Sequence, residues 1–258
     1  MQKRGSRFSN KKGQVTIFII IAIIIVGAVV AIYVLRPSVE VGTGFDADNP
    51  IGFIQNCLED GLENTVNLIS SQGGSIDPEF YYSYQGENIE YLCYTSEYYR
   101  TCVVQQPLLK QHVETEIKND ISEETTACFN SLVENYKNKG YTVTLDTGRT
   151  EIELLPKRIV TKFDGYVLTV SKGETARYDS FNVVLNNNLY ELVSIANSII
   201  EWETKYGDAE TTLYMSYYKD LKVEKLKQQD GTTIYILTDR NTENKFQFAS
   251  RSVALPPG

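Results

Sequence analysis

The hydrophobic pattern of the chain opens with residues 15–35, a run of 21 residues without a charge. A helix of this length, rising about 1.5 Å per residue, crosses the roughly 30 Å hydrocarbon core of a bilayer. Five of the first 12 residues are lysine or arginine and none is acidic, which places the N-terminus in the cytoplasm under the positive-inside rule. The predicted segments are a basic cytoplasmic leader, a transmembrane helix and a tether, at residues 1–14, 15–35 and 36–48.

Apolar residues three or four positions apart predict a long helix directly after the tether. Asn49 is suited to cap its N-terminus and Pro50 to occupy its first position. Gly73 and Gly74 are suited to end it. This helix would therefore bury a single apolar stripe.

Tyrosine-rich alternation between residues 80 and 104 predicts a β-hairpin next. Two more helices are predicted after it, one that opens at Pro107 and one that is capped by Ser122 and ends at Gly140. Residues 49–140 thus form a helical part that contains a tyrosine-rich hairpin.

Short β-branched segments dominate residues 141–258, and their connections are too short for parallel crossovers, so an antiparallel meander is predicted. Helices are predicted at about 188–206 and, more weakly, at 209–221. A closing hairpin turns at Asp230 and Gly231, and a last strand follows. The predicted fold class is α+β: one N-terminal transmembrane helix followed by an ectodomain with antiparallel sheet and segregated helices, whose two parts can be one continuous domain.

Charge excludes one class of partner. Beyond Arg36 the chain has 19 lysine and arginine residues and 33 acidic residues, a net charge of −14. A part this acidic lacks the basic surface that phosphate contacts need, so no nucleic-acid partner is predicted. The single histidine, His112, leaves little for histidine-based metal or serine-hydrolase chemistry. We predict no cofactor and assign His112 no role.

Four cysteines follow the apolar run and none precedes it, which favours disulfides in an exported domain. Three pairings are open to them. The two arms of the predicted hairpin carry Cys93 and Cys102, where opposed positions suit a bridge. That pairing leaves Cys57 with Cys128. A zinc site is the rival, but spacings of 36, 9 and 26 residues contain no CxxC pair.

The residues around Gly13 resemble the leader of archaeal type IV pilin-like proteins. The sequence Lys-Lys-Gly-Gln-Val-Thr leads directly into the apolar run, and the resemblance implies cleavage by a prepilin-type peptidase between Gly13 and Gln14. Those pilins carry glutamate at the fifth mature position, where this chain has Phe18. The resemblance implies self-association through 15–35, whereas Phe18 counts against a filament. The part that follows also resembles uncharacterised single-pass surface proteins of small-genome archaea.

Two short motifs offer catalytic interpretations. Ser216 and Lys219 match the S-x-x-K motif of penicillin-recognising enzymes, but the companion motifs are absent. Glu201 and Glu203 offer two carboxylates, as a glycosidase needs. Residues two apart on a helix point about 200° from each other, however, so these two cannot face each other across a cleft. No catalytic residue is predicted.

Alternating oxygen ligands offer a calcium interpretation at two places. Asp46 and Asp48 form one group, and Asp239, Asn241 and Glu243 form the other. Neither has the glycine at position 6 or the glutamate at position 12 of an EF-hand loop. Solvated turns are the default interpretation, and no metal site is predicted.

Tyrosine is the most prominent residue type, with seven tyrosines between positions 81 and 99. Tyrosine combines a large rigid contact area with a polar end, which suits recognition as well as cross-strand pairing. In a strand, one member of each adjacent pair must face outward. The predicted binding surface therefore comprises Tyr81, Tyr82, Tyr98 and Tyr99.

These patterns together predict a single-pass cell-membrane protein with its N-terminus in the cytoplasm and a non-catalytic structural or binding domain outside. The expected partners are the lipid bilayer and a protein or envelope glycan. One alternative is a pilin-like filament subunit processed after Gly13. A second is an ectoenzyme with an unrecognised carboxylate site.

Overall fold

The computed structural model describes residues 46–253. The predicted leader, its cleavage point and the apolar run lie outside the described residues. Within residues 46–253, none of the helices combines the length and hydropathy that a membrane crossing requires.

Five helices lie among the described residues: α1 (Pro50–Ser71), α2 (Leu109–Asp120), α3 (Ser122–Asn138), α4 (Leu189–Tyr206) and α5 (Thr211–Tyr217). The same residues contain twelve strands: β1 (Tyr81–Tyr84), β2 (Glu87–Tyr94), β3 (Val103–Val104), β4 (Thr142–Asp146), β5 (Arg149–Leu155), β6 (Arg158–Asp164), β7 (Val167–Lys172), β8 (Glu174–Tyr178), β9 (Asn182–Leu185), β10 (Leu221–Lys227), β11 (Thr232–Asp239) and β12 (Lys245–Arg251).

The first helix forms as its sequence predicts. The Asn49 side chain accepts a hydrogen bond from the Gly52 backbone N–H at 2.9 Å, which satisfies one of the free donors of the first turn. Every third or fourth residue of α1 is buried, with Ile54, Leu58 and Leu62 each at most 1% exposed. α1 packs this stripe against α3, β9 and β12, so it lies at the centre of the core.

The largest sheet is mixed. Its strand order is β1-β2-β12-β11-β10, with β3 also paired to β2. β12 runs parallel to β2, and Ala249 pairs with Tyr91. Because these strands lie more than 150 residues apart in the chain, no local pattern in the sequence indicates that they pair.

The remaining strands form two antiparallel three-stranded sheets, β4-β7-β8 and β5-β6-β9, instead of one meander. Helices and strands also alternate along the chain, since α2 and α3 lie between β3 and β4 and α4 and α5 lie between β9 and β10. The described residues belong to one compact unit.

The predicted fold class is therefore wrong. The described fold is α+β with five helices and twelve strands in mixed and antiparallel sheets, and no helix of residues 46–253 can serve as a transmembrane helix. The error in the sheet has a physical cause. Strand direction between distant segments depends on tertiary packing, whereas short connections constrain only neighbouring strands.

Both disulfides have the pairing that the sequence favours. Cys57 of α1 is bonded to Cys128 of α3, across 71 residues of sequence. Cys93 of β2 is bonded to Cys102, across 9 residues. The predicted hairpin differs in detail, because β1 and β2 form a hairpin of their own and Cys102 lies directly before β3.

Candidate functional site

A cleft between α4 and α5 is the most distinctive exposed feature of the described residues. α4 buries one face, which includes Leu192, Ala196 and Ile199, in the core. Other residues of α4 face outward, and α5 lies beside them. The Glu210 side chain caps the first turn of α5 by accepting a hydrogen bond from the Thr212 N–H at 3.0 Å. The cleft is therefore built by two neighbouring helices and by Tyr218, which directly follows α5.

Aromatic side chains form the walls of this cleft, which has a volume of about 460 Å³. We call it the aromatic cleft, and its lining residues are Ser198, Trp202, Leu213, Tyr214, Tyr217 and Tyr218. Tyr217 is 82% exposed and Tyr218 is 56% exposed. The Trp202 ring also lies 4.9 Å from the Tyr206 ring, which extends the aromatic surface along α4. Contiguous exposed apolar surface of this kind is typical of interaction sites.

Two hydroxyl groups form a polar pair among the lining residues. The Ser198 Oγ and Tyr214 hydroxyl atoms lie 2.7 Å apart and share a hydrogen bond. Burial raises the pKa of Tyr214, the bond to Ser198 opposes this rise, and the Glu201 carboxylate adds to it. The Tyr214 phenol is therefore neutral at physiological pH, and the negative charge of Glu201 acts on it.

The arrangement supports binding by three physical means. Aromatic faces provide stacking and large contact area, the paired hydroxyls provide hydrogen bonding, and Glu201 favours a positively charged group near the rings. Trp202 is the only tryptophan of the chain. Tryptophan and tyrosine in pockets are the residue types that dominate the energy of protein interfaces.

The four tyrosines of the predicted binding surface lie outside this cleft. Tyr98 and Tyr99 are 73% and 74% exposed, in the loop that the Cys93–Cys102 disulfide closes. Tyr81 is also exposed, on β1. Tyr82 instead packs against the small core cluster on one face of the central sheet. The binding role of these four tyrosines stays a prediction. Two of them lie on β1 and two in the disulfide loop.

The carboxylates of Glu201 and Glu203 point to different environments. Glu203 is 2% exposed, and its carboxylate accepts hydrogen bonds from the Tyr235 hydroxyl, from Ser250 Oγ at 3.3 Å and from Ala209 N–H at 3.2 Å. Burial raises the pKa of Tyr235, and the neighbouring Glu203 charge raises it further. Glu203 is thus a buried, fully bonded acceptor that joins α4 to the central sheet.

His112 has a partner that the sequence analysis missed. Its Nε2 atom lies 2.7 Å from Ser75 Oγ, and Ser75 Oγ lies 2.5 Å from the Glu90 carboxylate. Gln106 donates to the other oxygen of Glu90 at 3.2 Å. Ser75 is 5% exposed and lies between His112 and Glu90, whereas in a catalytic triad the histidine lies between the serine and the acid. This group therefore holds the turn after α1. The glycines before Ser75 were the only sequence signal.

The other sequence candidates form local contacts. Ser216 Oγ donates to the Leu213 carbonyl of its own helix at 2.7 Å. Asp46 accepts from the Asp48 N–H at 2.9 Å, and Asp239 accepts from Asn241 N–H at 2.8 Å as a turn does. Among residues 46–253, no three histidine, cysteine, aspartate or glutamate residues lie together as a metal ion requires.

Comparison of the chain with family models, with curated proteins and with solved structures finds no match. The sequence did not reveal the aromatic cleft, because Trp202 lies three residues after Ile199 and so fits the spacing of the buried stripe of α4, whereas the structure buries Glu203 instead and leaves Trp202 38% exposed.

Proposed function

We propose that residues 46–253 are a non-catalytic binding domain that lies outside the cytoplasm, attached to the cell membrane through the apolar run 15–35, and that it binds a protein partner in the aromatic cleft. The observation that carries this proposal is the concentration of exposed aromatic side chains around one concave site between two helices that the Ser198–Tyr214 hydrogen bond joins. Such a site offers a rigid anchor point for a side chain of a partner.

The two disulfides support the outside location. All four cysteines are paired, and the described residues contain no free thiol. Disulfides persist in oxidising compartments and are reduced in most cytosols. The disulfides and the basic leader therefore support the same orientation, with residues 46–253 outside the cytoplasm.

Charge supports a protein with a basic or apolar anchor residue as the partner. The described residues include 19 lysine and arginine residues and 32 acidic residues, a net charge of −13. Glu201 adds negative charge beside the cleft. A lysine or arginine side chain placed among these rings gains both cation–π and charge attraction.

Photocrosslinking in the cells that make the protein tests the proposal. A photoreactive phenylalanine analogue replaces Tyr217 in the full-length chain, and the matched control carries the same analogue at Tyr98, which is similarly exposed but lies outside the cleft. We expect a discrete protein adduct from position 217 that position 98 does not give. The change Trp202→Ala in the same chain should remove that adduct, because the central ring is lost.

Three outcomes would contradict the proposal. These are the absence of an adduct at position 217, an adduct to glycan alone, and a protein adduct at 217 that survives Trp202→Ala. An adduct at position 98 alone would move the binding surface to the disulfide loop.

A further inference from the structure

Among residues 46–253, no strand pairs with the outer edge of β1, the first strand in the order of the central sheet. The Phe80 carbonyl accepts from Tyr91 N–H at 3.0 Å, which sets the alternation of the β1–β2 ladder. Tyr82 and Tyr84 therefore bond to β2, whereas the backbone N–H and C=O groups of Tyr81 and Ser83 point away from it. These outward groups can pair with a further strand.

On two other edge strands, side chains occupy outward backbone groups at one residue each. The Gln55 side chain bonds both backbone groups of Val184 on β9, with its oxygen accepting at 2.9 Å and its nitrogen donating at 3.2 Å. The Glu114 carboxylate accepts from the outward Leu154 N–H of β5 at 2.8 Å. In each case a side chain takes the place of an added strand.

The opposite edge of the central sheet is protected in another way. β10 carries three lysines, Lys222, Lys225 and Lys227, two of which form ion pairs with Asp208. Lysines on an edge strand oppose pairing with another chain. β1 has the sequence Tyr-Tyr-Ser-Tyr and carries no charge.

Acidic residues flank β1 along the chain. Residues 46–99 contain ten acidic residues and no lysine or arginine. Three of those acidic residues, Asp77, Glu79 and Glu87, are exposed close to the two ends of β1. An extended segment that pairs with β1 therefore meets uncharged residues at its centre and negative charge at its ends.

We infer that the open edge of β1 accepts an extended segment of another protein by strand addition, and that this segment has an uncharged centre flanked by basic residues. Backbone hydrogen bonds to Tyr81 and Ser83 supply the pairing, and the acidic flanks supply charge complementarity. A second copy of this chain is the poorer occupant, since it brings the same acidic flanks and an edge of only four residues. The inference does not depend on the aromatic cleft.

A synthetic peptide tests the inference on the full-length chain. The probe is nine residues long, with valine and threonine alternating at its centre and two lysines at each end, and its binding is followed by fluorescence anisotropy. The variant Ser83→Pro removes one outward N–H donor, while the matched variant Ser83→Ala keeps it. We expect Ser83→Pro to weaken binding about tenfold, equivalent to about 1.4 kcal/mol, and Ser83→Ala to change it less than about threefold.

Two further measurements guard against misfolding and misplacement. On the unsubstituted chain, the peptide should slow hydrogen exchange at the amides of Tyr81 and Ser83 and leave those of Tyr82 and Tyr84 unchanged. A peptide with glutamate in place of each lysine should bind at least about tenfold more weakly at low salt, because the flanks then repel.

The inference is overturned if the lysine peptide does not bind, if both peptides bind equally, or if the two amides show no protection. Loss of peptide binding in Trp202→Ala with no effect of Ser83→Pro would also overturn it, because the peptide would then occupy the aromatic cleft.

Discussion

Glu203 illustrates how one residue changes meaning when its surroundings are known. In the sequence it is one of two carboxylates beside a tryptophan, whereas in the structure it is an interior acceptor with three donors around it. A buried carboxylate is tolerated only when its oxygens are hydrogen-bonded. The donors therefore matter to stability.

Replacing Tyr235 with phenylalanine should expose this dependence. The change removes one donor from the buried Glu203 carboxylate, and we expect the free energy of unfolding to fall by about 1–3 kcal/mol, measured by chemical denaturation. The control Tyr217→Phe removes the hydroxyl of an exposed ring and should change stability by less than about 0.5 kcal/mol. Equal changes in the free energy of unfolding would show that the hydrogen bond from Tyr235 to Glu203 stabilises the fold no more than an exposed hydroxyl does.

Glu124 should show the opposite behaviour. Burial raises its pKa above the ordinary value of 4.5, and the nearby Asp120 and Asp60 charges raise it further. The folded state then binds this proton more tightly than the unfolded state, so stability falls as pH rises from 4.5 through the folded pKa. We expect Glu124→Gln to raise the free energy of unfolding by about 0.5 kcal/mol at pH 7.

That gain should disappear below pH 4.5, where Glu124 is protonated in both states. Denaturation at pH 7 and at pH 4 compares the two conditions, and Glu123→Gln, at an exposed neighbouring position, serves as the control. A gain of the same size at both pH values would argue against a charge effect.

The two disulfides join elements at different sequence distances and should differ in their effect. In the chain-entropy model a loop of 71 residues is worth about 4 kcal/mol and one of 9 residues about 2.5 kcal/mol. We expect the double change Cys57→Ala and Cys128→Ala to destabilise the fold more than Cys93→Ala with Cys102→Ala. Chemical denaturation of the two variants gives the order, and the reverse order would indicate that native-state packing outweighs loop length.

Prediction of whole elements succeeded where local signals were complete. The cap at Asn49 and the apolar stripe located α1, and the same periodicity located α4. At Ser122 the signal misled, because the helix begins there without a side-chain cap. The weak helix predicted at 209–221 is reduced to the seven residues of α5, whose exposed aromatic residues lack a buried stripe.

Mass spectrometry of the intact chain, extracted from its native membrane, tests the organisation of the protein as a whole. We expect a full-length mass. We also expect the mass increase from alkylation of four thiols only after reduction, because all four cysteines are paired in disulfides and the proposed location outside the cytoplasm keeps them oxidised. A mass short of residues 1–13 would instead favour the pilin-like alternative. Four thiols free before reduction would contradict the proposed location.

The sequence alone determined what depends on near neighbours in the chain: the long helices, the hairpin at Asp230 and Gly231, and the bridge between Cys93 and Cys102. The pairing of Cys57 with Cys128, across 71 residues, followed only because these two cysteines remained. Periodicity and turn chemistry act over a few residues and are legible without a structure. Tertiary structure decided the parallel β2–β12 pair, the contact of His112 with Ser75, the burial of Glu203 and the aromatic cleft. Each of these depends on how elements that are distant in the chain pack against one another. The distance and orientation between such elements are set only when the chain has folded.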